Sequence, residues 1–175
     1  IYRVICRWEG QGEHQNVPTI PIRLRNKALE SIPQIDEFFV MYPERGPSTV
    51  IKSSTDEIFE EDDLAYISNN WLSEFAYTPL SGSIEAFQAN KFGLALTEER
   101  AKKLFGDTNP IGQLVELYAT KYTVELVLED NPANSSFQQK VFLPLESYWS
   151  TRNSYEKEIQ GSNYKFVAFF KASEG

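Results

Sequence analysis

The sequence predicts an α+β domain in which strands carry most of the core and a strong strand stands at each end of the chain. Three observations predict it. Hydrophobic residues make up 41% of 175 residues, among them twelve Phe, nine Tyr and three Trp. That is enough apolar area to offset the entropy of ordering a domain of this size, and its aromatic and β-branched bias favours sheet. Near the amino terminus Tyr2, Val4, Cys6 and Trp8 alternate with Arg3, Ile5 and Arg7, and near the carboxyl terminus Tyr164, Phe166, Ala168 and Phe170 alternate in the same way, which is the period of a strand. Between them, Thr97 to Gly106 has a helix-forming order: a capping hydroxyl, Glu98 and Glu99, the apolar stripe Ala101, Leu104 and Phe105, then Lys102 and Lys103 in the last turn.

Taken in order, Tyr2 to Trp8 reads as a strand with one face fully buried, and Glu9 to Asn16 as a polar loop. Ile20, Leu24, Ala28 and Leu29 recur near helical spacing behind Pro18 and Pro21, so a helix is expected from about Pro21 to Ser31. Ile35 to Met41 and Thr49 to Lys52 follow as strands expected to pair as neighbours, with the turn at Pro43, Gly46 and Pro47. Asp56 to Asp63 holds six acids in eight positions and marks a solvated junction between structural units. Leu64 to Ser68 reads as a strand and Asn69 to Phe75 as a short helix, with Pro79 and Gly82 breaking the chain after it. Phe92 to Leu96 is a strand leading to Thr97, and Gly106 stands where a left-handed cap is wanted. Leu114 to Tyr118 and Tyr122 to Leu128 form a hairpin, with Tyr122, Val124, Leu126 and Leu128 expected on one face. After the Asp130 to Ser136 loop, Val141 to Leu145 and Tyr164 to Lys171 are strands, and the two terminal strands are expected side by side in one sheet.

The residues offer little chemistry. A formal net charge of −8 disfavours a nucleic-acid partner, because that affinity rests on Lys and Arg neutralising phosphates. His14 is the single histidine, in a polar segment, so neither a Ser-His-Asp triad nor a His-rich metal centre is expected. The acids at positions 56 to 63 lack the spacing and turn glycine of a calcium loop. Cys6 is the single cysteine and reads as a core thiol. No phosphate-binding glycine loop is present, and no run of about 18 apolar residues could span a bilayer. Catalytic residues, cofactors and metals are therefore expected to be none. The chain opens directly on a strand pattern without an initiator methionine or signal peptide, as a segment of a longer protein would.

Three stretches resemble the periplasmic core domain of MacB/FtsX-like ABC transporter permeases, in particular the FtsX-like permeases of Bacteroides-type bacteria. They are Ile1 to Val4, similar to the segment that follows the first membrane helix in that group; Leu96 to Gly112, the most specific; and Tyr122 to Ser135. Within them Thr97, Phe105, Gly106, Pro110, Gly112, Asp130, Pro132, Asn134 and Ser135 carry the motif, and their physical content is architectural. Glu125 and Leu126 stand where the family carries a small residue and a glycine, and Ser136 where it often carries histidine.

The resemblance implies two mixed α/β subdomains, a porter-like unit of residues 1–55 and 137–175 and an inserted sabre-like unit of residues 56–136. It implies an inner-membrane protein whose extracytoplasmic part is this segment, with one transmembrane helix before Ile1 and three after Gly175. The partners it implies are those helices, an ABC ATPase subunit, separate or fused, a second permease copy in a homodimer, and a periplasmic adaptor. The role it implies is coupling ATP-driven motion to export, without enzymatic activity of this segment. Two other readings stand beside it: a periplasmic hydrolase built on a carboxylate pair, and a secreted surface-binding domain.

Overall fold

The structure, a computed structural model, describes residues 1–10, 13–44, 49–52, 57–152 and 155–173. The expected turn at Gly46 and Pro47, and Asp56 of the acidic run, lie outside them. The core is one mixed sheet. Its strands are β1 (Tyr2–Arg3), β4 (Ile35–Pro43), β5 (Thr49–Lys52), β6 (Ile58–Glu61), β7 (Leu64–Ile67), β8 (Pro79–Gly82), β9 (Gly93–Thr97), β10 (Leu114–Leu117), β11 (Thr120–Leu128), β12 (Val141–Pro144) and β13 (Val167–Ala172); β2 (Cys6–Gly10) and β3 (Glu13–Val17) form a separate hairpin. The order across the sheet is β1-β13-β4-β7-β12-β9-β11-β10-β5-β6, with β8 also paired to β11. β7 with β12, and β9 with β11, run parallel.

The central strands β7, β12 and β9 are buried at every residue. A strand covered on both faces reads as a continuous apolar run, which Leu64-Ala65-Tyr66-Ile67 and Val141-Phe142-Leu143 supply. One face is covered by α1 (Ile22–Ser31), α4 (Glu98–Phe105), α5 (Leu145–Arg152) and α6 (Tyr155–Gln160), over Phe38, Val40, Tyr66, Leu94, Leu96 and Leu143. The opposite face is covered by α2 (Trp71–Glu74), α3 (Ile84–Ala89) and the loop carrying Phe137, over Phe39, Met41, Ala65, Ile67, Ala95 and Phe142. Trp71, Phe75, Phe137 and Phe169 meet there with ring centroids 4.4 to 5.9 Å apart, contacts worth about 0.5–1.5 kcal/mol each beyond their burial.

The terminal strands do lie side by side. Tyr2 stands opposite Phe170 and Arg3 opposite Phe169, while β13 pairs on its other edge with β4. A second tie joins the same regions through Ile20 and Phe166, whose backbones exchange hydrogen bonds of 2.8 and 3.2 Å. The amino-terminal strand is shorter than its alternation suggests. It breaks after Arg3 and resumes as β2, Tyr2 and Ile5 are 60% and 55% exposed, and the expected loop over 9–16 is largely the β2–β3 hairpin. β4 and β5 are not neighbours: β5 pairs with β10 and β6 at the far edge. The acidic run is not wholly solvated either, since Ile58 to Glu61 is strand and Glu61 is buried.

β11 departs most instructively from its alternation. The register with β9 shifts between Val124 and Leu126, so Glu125 is an extra residue and the strand changes face. Tyr122 and Val124 enter the core beneath α4 and α5, whereas Leu126 and Leu128 enter the opposite one. Room for the bulge comes from the neighbouring strand. Gly82 has φ +76°, and a Cβ built there would lie 2.0 Å from the Glu125 carbonyl oxygen. Gly82→Ala is therefore expected to cost about 1–3 kcal/mol from backbone conformation alone, and more from the contact; urea unfolding that gave an unchanged midpoint would contradict this account of the bulge.

Candidate functional site

The motif residues gather at the two ends of α4. At its start Thr97 occupies the cap position, but its hydroxyl makes no capping bond and is buried without a partner. The cap comes from across the sheet: Asp130 Oδ1 accepts from the Glu99 amide at 3.0 Å, and Lys140 Nζ pairs with the Glu99 carboxylate at 2.8 Å. Thr97 instead donates its amide to the Lys140 carbonyl at 2.9 Å. Thus Thr97 and Asp130, far apart in sequence, meet at one helix terminus. Beyond Asp130 the loop is held by its own polar groups. Pro132 O accepts from the Ser135 amide, Ser135 Oγ accepts from the Phe137 amide, and Asn131 Nδ2 donates to Gln139 O. These bonds fix Phe137 against Trp71; Asn134 is exposed on a cleft of about 430 Å³ beside the same loop.

At the other end of α4, Phe105 packs half-buried on the core and Gly106 stops the helix. Its φ of 58° with ψ of −126° lies outside the left-handed helical well expected for it, in a region open to glycine, and its amide still closes on Lys102 O at 2.8 Å. Pro110 O accepts from Gln113 N and Gly112 N donates to Val124 O, which seats this turn against β11 just before the bulge.

Two clusters escaped sequence reasoning. Arg100, on the buried side of α4, sets its Nε 2.9 Å from Glu61 Oε2, with both side chains almost inaccessible. The two atoms are close but not aligned as a hydrogen bond, and Arg100 Nη1 also lacks a partner, so this is an ion pair incompletely satisfied in the core. Burial raises the Glu61 carboxyl above its ordinary value, against the pull of the Asp63 amide, which donates to Oε1 at 2.8 Å, and of Arg100. The second cluster lies under α5. Tyr42, Tyr66 and Tyr148 pack with centroids 5.0 to 6.1 Å apart. Arg152 stacks 4.8 Å from the Tyr148 ring and pairs with Glu44 at 3.0 Å. Lys165 donates to Glu158 and to the Tyr148 hydroxyl. Burial pulls the Lys165 ammonium down, but these bonds outweigh it and hold its pKa raised. Burial pushes the Tyr42 phenol to about 12, so it stays protonated at neutral pH and serves as a packing and hydrogen-bonding group. Only the apolar periodicity of these strands was visible; partners such as Glu44 and Arg152 are 108 positions apart.

His14 lies exposed on β3, opposite Glu9, and Cys6 is half-buried with its thiol pKa raised by burial. Among the described residues no group of His, Cys, Asp or Glu could hold a metal ion, and no helix is long and apolar enough to cross a membrane. A concavity of about 620 Å³ lies on the helical face between α1, β4, α5 and α6.

The family profile of the MacB-like periplasmic core domain matches residues 2–173, which takes in both ends of α4, the loop at Asp130 and the paired terminal strands. The chain belongs to this family. It is thus the extracytoplasmic domain of a MacB/FtsX-like ABC permease. Solved structures share its fold. A domain described as that of a permease protein from Porphyromonas gingivalis superposes with a TM-score of 0.74 at 17% identity, over 98% of this chain and 70% of that one. The extracellular domain of the ABC-type transporter YknZ from Gram-positive bacteria gives 0.58 at 15% identity, over 89% and 73%. The periplasmic region of MacB from Actinobacillus actinomycetemcomitans gives 0.51 at 15%, over 85% and 80%. No curated protein sequence matches the chain.

Two predictions follow the geometry of this MacB-like domain. Asp130→Ala should cost about 1 kcal/mol, the worth of a helix cap, whereas Thr97→Val should be close to neutral because it replaces a buried, unpartnered hydroxyl by an isostere; the reverse order in denaturant unfolding would contradict the assigned cap. The second concerns Glu61. A carboxyl held above its ordinary 4.5 in the fold binds its proton more tightly there than in the unfolded chain, so its contribution is largest at acid pH and is lost as pH rises from 4.5 through the raised value. The unfolding free energy of the wild type minus that of Glu61→Gln should therefore fall across that window, and a difference that is flat or rises would contradict the assignment.

Proposed function

We propose that this domain is the extracytoplasmic coupling module of its permease. A transmembrane helix before Ile1 and three after Gly175 anchor it in the inner membrane, where two permease copies work with an ABC ATPase, separate or fused. Contacts with the exported substrate or with a periplasmic adaptor then turn ATP-driven motion into export or other periplasmic work. The observation that carries this reading is the seam between the chain ends. Tyr2 and Phe170 are paired in register with their rings stacked 5.3 Å apart, and Phe170 also stacks on Phe38. Displacement of either flanking segment is delivered to the same edge of the sheet.

The division into a porter-like unit of residues 1–55 and 137–175 and a sabre-like unit of residues 56–136 belongs to the same proposal. The strands nearest the chain ends, β1, β13 and β4, gather at one side of the sheet, and β9, β11 and β10 at the other. The β4–β7, β7–β12, β12–β9 and β10–β5 pairings cross the drawn boundary, so the two units would move as parts of one continuous sheet. The nine motif residues act in this reading as braces that fix α4 and the Asp130 loop to that sheet.

The test uses the full-length parent protein purified from membranes. An ABC ATPase should co-purify with it or be fused to it, and Phe170→Asp should lower export while leaving the ATPase bound. A parent without any associated or fused ATPase would overturn the reading.

A further inference from the structure

The turn between β10 and β11 runs against the preferences of its residues. Leu117 stands opposite Thr120, so Tyr118 and Ala119 alone reverse the chain, and both have positive φ, 52° and 61°. A two-residue turn of this hand matches the twist of a hairpin, and Asn, Asp and Gly enter it readily. Tyrosine and alanine do not, because their Cβ atoms crowd the following carbonyl oxygen. Such backbone persists where surrounding contacts over-determine it. Here the contact is Arg152, the last residue of α5, whose guanidinium carbon lies 5.3 Å from the Tyr118 ring centroid and 4.8 Å from that of Tyr148. Its Nη2 donates to Glu44 Oε2 at 3.0 Å, and Glu44 Oε1 accepts from the Tyr42 hydroxyl at 3.3 Å.

Glu44 directly follows β4, and β7, β12 and β9 stand between β4 and β11 in the sheet. One side chain therefore joins two strands that do not pair with each other. The Arg152 side chain is 34% exposed, so its attraction to the two rings acts in a partly desolvated setting, where it is stronger than on an open surface. Tyr118 is 50% exposed and the rest of the hairpin is held by strand pairing, so the turn can open while the sheet stays closed. We propose that Arg152 is a clasp that holds the β10–β11 turn in its strained form, tied to the end of β4, and lets the hairpin tip open when released. Once released, Tyr118 and Ala119 return to ordinary backbone. The clasp is a property of this chain by itself, so its test stands apart from that of the coupling role.

NMR relaxation dispersion on the amides of residues 117–121 in the 175-residue chain measures the open fraction of the turn. Arg152→Met keeps an apolar stem and removes the charge, and should raise that fraction about three- to thirtyfold. Tyr118→Leu should raise it to a similar extent, and adding it to Arg152→Met should change little more, since both remove one contact. Ala119→Gly relieves the backbone at one position, so combining it with Arg152→Met should recover most of the lost closure. The amides of β12 should keep their wild-type shifts throughout. An open fraction unchanged by Arg152→Met or Tyr118→Leu, effects of the two that simply add, or closure not recovered by Ala119→Gly would each overturn the proposal. Should Arg152→Met fail to fold, Tyr118→Leu at its half-exposed position, with and without Ala119→Gly, carries the same test.

Discussion

β13 pairs antiparallel with β4 from Val167 opposite Met41 to Ala172 opposite Ile35, and it carries β1 on its other edge. The order of the rest of the sheet depends on this pairing. With β13 in place, β4 can turn its remaining edge to β7, β7 to β12, and β12 to β9, so the strands of the chain ends become continuous with a centre buried on both faces. Non-local closure of this kind costs loop entropy before it yields contacts. What offsets it is aromatic: Phe38, Phe39, Phe169 and Phe170 alternate across the pair and feed both faces of the core.

The second constraint is geometric. A parallel pair, β9 and β11, must sit beside the β10–β11 hairpin and also admit β8, and the bulge at Glu125 reconciles them by turning one strand from one core to the other. The small residue needed for the close approach is supplied by Gly82 of β8, while Glu125 itself accepts from Asn90 Nδ2 at 2.8 Å. Around the bulge, α4 is fixed at its start by Asp130, at its end by the Gly112 turn, and from beneath by Glu61.

Local patterns made most elements legible. The helix at 22–31, the helix at 98–105, the central strands and the closing strand all follow from periodicity and capping residues in the sequence. Periodicity failed where a tertiary contact changed its meaning. The parity of β11 breaks at a bulge whose cause lies on another strand, and the charge of Glu61 looks solvated until Arg100 arrives from 39 positions away. Thr97 has the right residue type for a cap, yet the acceptor that reaches the helix is Asp130, 31 positions beyond Glu99. The alternation of Tyr2 to Trp8 was real, but a strand needs a partner along its length: β13 pairs with Tyr2 and Arg3 and accepts from the Val4 amide, and from Cys6 onward the partner is β3.

The pairing of β1, β13 and β4 makes the chain-end seam of this domain as firm as its core. Native-state hydrogen exchange measures this directly by comparing the amides of β13 and β4 with those of β12 and β9. If the account holds, both groups open with the same free energy, in one cooperative event. If β13 exchanges through a low-energy opening while β12 and β9 stay closed, the ends are not rigidly joined to the sheet and the account is contradicted.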